Sequence, residues 1–382
     1  MLAEPDIAID VPSAGLDDDQ CSKLHRSHGV LCMFHADACI ALVASADVRG
    51  HVLDRVGPDA SQEHDLRGGC DLVRCWNAGS SFEADLLFLD VAAALAPELA
   101  RQAAARLTVW WIAVDQRSPG GGWTITDEPI TGEGVSVVGP FLDRTSARRW
   151  ADMLDDLFEL CRYAAELRKA PAGTACAYHE MGRCPAPCDG SEPMAAYGER
   201  LREAVMLDSA RLAAIKRELE QQMKEAAASA DFERAAAMRD RLSSLPDADD
   251  RAAAAVGPMD NLDCVAVVPP RRGTRVGLLR VARTAWCRLG ELDVSESDSM
   301  DAVREMLARP MPDGQSPAIA GVLAREIIRP RRGGPTLVRK VGEQSLDAAQ
   351  AEDAWAERVW ASARSLAATK PTARTGTHDA QP

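Results

Sequence analysis

Apolar and polar positions along the chain change period several times, and each change predicts an element. Residues 29–56, GVLCMFHADACIALVASADVRGHVLDRV, predict two short strands joined by a turn, followed by an amphipathic helix. SSFEADLLFLDVAAALAPELARQAAARL predicts a long helix with Ser80 or Ser81 as N-cap and Pro97 interrupting or ending its first half. LTVWWIAV and GVSVVGPFL have strand composition on either side of a Gly- and Pro-containing loop. In TSARRWADMLDDLFELCRYAAELRK, Trp150, Met153, Leu154, Leu157, Leu160 and Cys161 recur at helical spacing, so the helix is expected to carry Cys161 at its C-terminal end.

From about 192 to 245 the pattern is almost wholly helical. Leu212, Ile215, Leu219, Met223 and Ala226 form one stripe, and Phe232, Ala235, Ala236, Met238, Leu242 and Leu245 form another. The break ASAD between them, with Asp231 as a cap, predicts an antiparallel helical hairpin. Beyond it, LDCVAVVPP, RVGLLRVA and AWCRLGELDV predict a short meander, followed by two helices, a strand TLVRKV and a last helix. The expected fold is α+β and multidomain. Its parts are an acidic, loosely packed tail at 1–27, a small α/β unit at 28–104 and a strand and helix segment at 105–192. Then come the hairpin at 193–246, a linker at 247–257, a small mixed C-terminal domain at 258–368 and a disordered tail at 369–382.

Composition narrows the function classes. With 382 residues and 46% apolar content the chain can bury more than one core, and its apolar runs fall short of a membrane span. The acidic start MLAEPDIAID does not read as a secretory signal, so the expected location is the cytoplasm. A net charge of -14 opposes non-specific attraction to phosphate backbones. Any contact with DNA therefore rests on local basic stretches, with Arg271, Arg272, Arg331 and Arg332 as candidates.

In a reducing compartment, clustered cysteines point to metal or catalysis rather than to disulfides. Of eleven cysteines, three fall within CAYHEMGRCPAPC at 176–188, and with Cys161 they run C-x14-C-x7-C-x3-C through Cys176, Cys184 and Cys188. Four thiolates suit tetrahedral zinc or a cubane iron–sulfur cluster, and spacing alone leaves both open.

These residues carry a resemblance. ACAYHEMGRCPAPCDG, then a helix, then ADFERAAAMRDRL, preceded by VGPF at 138–141, resembles the central part of the UvrC/Cho family of excision-repair nucleases. It is also similar to the C-terminal half of actinobacterial proteins that fuse a proofreading-type exonuclease to a Cho-like region. The resemblance implies a 4Fe-4S cluster on the four cysteines, with zinc as the alternative. It also implies a hairpin that binds the helicase subunit UvrB, with Phe232, Glu233, Ala236, Arg239 and Asp240 as its core motif; the Arg239 and Asp240 ion pairs are expected to fix the hairpin.

The family's N-terminal unit is a GIY-YIG nuclease. Aligned without gaps, its two tyrosines fall on Leu31 and Ala41, its arginine on His51 and its metal-binding glutamate on Asp90. Leucine and alanine carry no ionisable group, and histidine does not replace a permanently charged fork. A degenerate, silent GIY-YIG-like domain is expected, and with it a DNA-repair adaptor for a UvrB-type partner. The alternative is an active endonuclease that nicks near lesions, with Asp90 and His51 holding Mg2+. Asp260, Asp263 and Glu291 read as turn residues rather than as a second catalytic set.

Overall fold

The structure is a computed structural model that describes residues 4–368 except 61, 119–121, 131, 247–249, 270–274, 296–298, 314–315 and 341–347. Arg271, Arg272 and the tail 369–382 lie outside the described residues.

The N-terminal unit is a four-stranded antiparallel sheet in the order β1-β4-β2-β3, built from β1 (Ile7–Asp10), β2 (His28–His35), β3 (Ala38–Ser45) and β4 (Leu72–Ala78). The expected acidic tail is partly structured instead. Ile7 to Asp10 pair antiparallel with Cys75 to Leu72, and α1 (Asp18–Lys23) starts at a capping box on Asp17 and Gln20 and buries Cys21. The apolar residues that anchor this stretch, Ile9, Val11, Leu16 and Leu24, are spread thinly among acids, which hides them from a composition reading.

Alternate side chains of the sheet face opposite ways. Leu31, Met33, Val73 and Cys75 pack with Val48, Val52 and Val56 of α2 (Val48–Val56). Val30, Cys32, Phe34 and Trp76 pack on the other face, against Phe82 and Leu86 of α3 (Ser81–Leu95). Ser80 caps α3 by accepting from Glu83 N, and Pro97 opens a separate helix, α4 (Pro97–Arg106), where its missing N–H costs nothing.

The central unit is a sheet in the order β6-β5-β7-β8, formed by β5 (Trp110–Asp115), β6 (Thr124–Thr126), β7 (Val135–Phe141) and β8 (Gly257–Pro258). Against it lies α5 (Arg144–Leu157), followed by the short helices α6 (Ala164–Leu167) and α7 (Ala177–Glu180) and by α8 (Met194–Val205). The hairpin is α9 (Ser209–Ala228) and α10 (Phe232–Ser244), with Asp231 accepting from Arg234 N as the expected cap. The expected linker is largely ordered: α11 (Arg251–Ala255) leads into β8, which adds the edge strand to this sheet.

The C-terminal unit has the order β11-β10-β9-β12, with β9 (Asp263–Val268), β10 (Arg275–Ala282), β11 (Ala285–Asp293) and β12 (Thr336–Arg339). The meander is as expected, and β12 pairs with the free edge of β9. Val265, Val267, Val276 and Leu278 face α12 (Ser299–Leu307) and α14 (Ala348–Ala368). Cys264, Ala266, Val268, Leu279 and Val281 face the other way and share one core with α3 and α13 (Pro317–Ile328). Asp263, expected in a turn, stands in β9, where Arg280 holds its carboxylate at 2.6 Å and 3.0 Å.

Candidate functional site

The four cysteines of the cluster line one small cavity, together with Tyr163, Glu166, Thr174, His179 and Ala186. Cys161, Cys184 and Cys188 are buried and Cys176 is half-buried. Cys161 does not ride on α5, which ends at Leu157: Glu159 turns left-handed at φ 51°, so Leu160 and Cys161 reach the core from a loop. The expected helical register misled because both residues keep the buried spacing without the helix.

Backbone contacts hold this loop-rich segment in shape. Gly173 N donates to Cys188 O at 2.8 Å, and a Cβ at Gly173 would press on that oxygen and on Glu166 O, so only glycine permits the approach. His179 Nδ1 donates to Cys184 O at 2.9 Å. The Cys161 and Cys188 thiols point toward the carbonyl oxygens of Tyr163 and Thr174. The Cys161 and Cys184 thiols hydrogen-bond to one another and titrate as a pair, and this contact favours sharing one proton between the two sulfurs.

Arg200, on α8, went unnoticed in the sequence. It donates to the carbonyl oxygens of Phe158 and Glu159, just before Cys161, and pairs with the carboxylate of Glu192, just after Cys188. One guanidinium thus ties both ends of the cysteine segment, a geometry that suits a planar fork rather than an ammonium. Among the described residues, no group of three or more His, Cys, Asp or Glu is arranged closely enough to hold a metal ion as it stands. The donor set nonetheless fits a thiolate-bound centre: four soft sulfurs converge on one cavity.

Beside the cluster, Asp155 is buried and accepts from Trp123 Nε1 at 2.7 Å. Burial raises its carboxyl to about 6, against the hydrogen bond, which pulls it down. A folded pKa above the unfolded one means that ionising Asp155 costs stability, a cost that develops as pH rises from about 4 to about 6. Asp155→Asn is therefore expected to gain about 2 kcal/mol over the wild type at pH 7 and nothing at pH 4, as read from urea midpoints at the two pH values.

Of the residues aligned with the nuclease centre, three lie on one side of the N-terminal sheet and Asp90 belongs to the helix on the other. Leu31 and Ala41 pack on the α2 face of the N-terminal sheet, and His51 stands on α2 itself with Nε2 buried and without a partner. Burial lowers the pKa of His51 and so favours the neutral ring. Asp90 belongs to α3, which covers the opposite face. Its carboxylate accepts from Trp286 Nε1 at 3.0 Å, and burial raises its pKa.

The other acids of α3 also serve the C-terminal unit. Glu83, buried in the first turn of α3, accepts from Gly79 N and from Arg288 Nε. Asp85 pairs with Arg331 at 2.8 Å. The same guanidinium holds the buried Glu326 at 2.9 Å, so Arg331 is engaged by two carboxylates, while Arg332 is exposed. A buried carboxylate left alone would be costly, and each of these has a cation or an indole N–H as partner.

On the hairpin, Phe232 opens α10 with 71% of its surface exposed. Glu233 is exposed beside it, and Ala235 and Ala236 are half-buried. Arg239 and Asp240 form an exposed pair at 2.8 Å between neighbouring residues, so this pair does not cross-link the two helices. What joins them is the apolar stripe, in which Leu212, Leu219 and Ala226 are fully buried.

Comparisons with known proteins bear on the same region. Residues 110–207 match the family model of the UvrC/Cho excinuclease middle domain, and residues 214–245 match the UvrB/uvrC motif. UvrABC system protein C of Nitratidesulfovibrio vulgaris is 34% identical over 143 residues, 37% of this chain and 21% of that protein. A Thermus thermophilus protein of the same name is 36% identical over 116 residues, 30% of this chain and 19% of that one. The Novosphingobium aromaticivorans protein is 39% identical over 104 residues, 27% of this chain and 16% of that one. The chain thus spans about a fifth of the length of the curated relatives it matches. No solved structure matches. The cysteine segment and the hairpin are accordingly similar to a UvrC/Cho middle domain and a UvrB/uvrC motif.

Proposed function

We propose that the protein acts in nucleotide excision repair as a scaffold that docks a UvrB-type helicase subunit without incising DNA itself. The observation that carries this reading is Phe232, an aromatic side chain left 71% exposed at the tip of the hairpin in the matched motif. Exposed aromatic anchors dominate small interfaces, and nothing in the hairpin's own packing uses this ring. The net charge of -14 suits a protein partner better than bare DNA.

In this reading Cys161, Cys176, Cys184 and Cys188 hold a 4Fe-4S cluster. The cluster supplies no chemistry beyond fixing four chain positions at once. The N-terminal unit is a silent relative of the GIY-YIG fold. Support comes from Asp90 and His51, which stand on opposite sides of a sheet, and from α3, whose acids are taken up by the C-terminal unit.

Calorimetric titration of the full chain with a purified UvrB-type subunit tests the reading. Phe232→Ala is expected to lose about 2 kcal/mol of binding, roughly thirtyfold in Kd, with its urea midpoint unchanged. Equal affinity of variant and wild type, or no binding by either, would refute it.

A further inference from the structure

The hairpin of β2 and β3 brings together two thiols that the proposed function does not use. Cys32 faces the α3 side of the sheet with Val30 and Phe34. A regular β3 would send Cys39 to the α2 side with Ala41 and Val43. The register shifts between Met33 and Phe34, however, so that Met33 pairs with Ala41 and Phe34 with Cys39, leaving Ile40 as the extra residue. This bulge turns Cys39 to the face of Cys32. The two Sγ atoms lie 2.9 Å apart. Cys32 is fully buried, whereas Cys39 is half-buried next to the exposed turn at Ala36 and Asp37.

From this geometry we infer that Cys32 and Cys39 form a thiol-oxidation site that a low-molecular-weight disulfide converts to an intrachain disulfide. The accessible Cys39 loses its proton to solvent, and its sulfur attacks one sulfur of the small disulfide. That S–S bond breaks, one small thiolate leaves and takes up a proton, and a mixed disulfide remains on Cys39. The Cys32 sulfur then attacks Cys39 Sγ, its proton going to the departing second small thiol. The protein loses two protons and two electrons, and one small disulfide becomes two thiols.

The second step is favoured by placement. The attacking sulfur is held at 2.9 Å, and closing to a bond of about 2.04 Å requires less than 1 Å of movement. Burial and its neighbour raise the pKa of Cys32, so it waits for a modified Cys39 rather than reacting first. The ring closed between the two cysteines is short, so the change is local to the hairpin and leaves overall stability little altered.

The test is to treat the full-length protein with oxidised glutathione and map its peptides without reduction. The expected result is a Cys32 to Cys39 crosslink, with Cys32→Ser instead trapping one glutathione per chain on Cys39. The mapping is done on the wild type, so it stands even if the variant folds poorly. A stable glutathione adduct on wild-type Cys39, or both thiols left free, would overturn the inference.

Discussion

Cys184→Ala is expected to purify without iron, against about four iron and four sulfide per chain in the anaerobically isolated wild type. The expected effect is large because the segment around the cysteines has little else to hold it. Between residues 158 and 192 its only α-helices are α6 and α7, of four residues each, and few large side chains are buried there, chiefly Phe158, Leu160 and Leu167. Segments that cannot build a core depend on staples, and a structural metal centre contributes folding free energy directly. The variant should therefore be cut by trypsin within 162–183, where the wild type resists, while Arg200 keeps both ends of the segment attached. Iron unchanged in the variant would refute the thiolate assignment. Stoichiometric zinc in the wild type would keep the staple and remove the iron–sulfur centre.

Gly321→Ala is expected to destabilise the protein by about 2–3 kcal/mol, as read from denaturant midpoints. Gly321 is buried in α13, and a Cβ there would overlap the carbonyl oxygen of Leu107 at the end of α4. The clash is with backbone, so relief requires the C-terminal unit to move away from the N-terminal one. That movement would pull on the partners of α3, namely Trp286, Arg288 and Arg331. Gly198→Ala serves as the opposite control. It lies inside α8 with only the tip of Arg202 near its Cβ position, and alanine there should stabilise by about 0.5–1 kcal/mol. A Gly321→Ala variant as stable as the wild type would mean that the two units are not packed as described.

The sequence disclosed what depends on local period and hid what depends on contact between distant segments. The two stripes of the hairpin and the Asp231 cap were legible because α9 buries Leu212, Leu219 and Ala226 on one face and α10 sets the half-buried Ala235, Met238 and Leu242 against a polar remainder. The run LLFLDVAAAL announced that α3 is buried, but not that a second unit covers it, since period alone does not name the covering element. The burial of Glu83 was hidden, because a glutamate three residues after the Ser80 cap reads as an ordinary first-turn acid and only the fold brings Arg288 to it. The cysteines were legible from their density around Gly182 and two prolines. Arg200 was not, because its partners are carbonyl oxygens about forty residues away and a carboxylate eight away. The four-residue edge strand β1 fell below what alternation resolves.

Docking without incision is tested most directly by electrophoresis of an end-labelled duplex that carries a single bulky lesion and is incubated with Mg2+, the UvrB-type subunit and this protein, with native and denaturing gels run on the same mixture. The predicted result is a complex that this protein shifts further on the native gel while the labelled strand stays full length on the denaturing one. An Mg2+-dependent nick that disappears in Asp90→Asn would contradict it, because Asp90 would then serve a metal rather than the Trp286 indole.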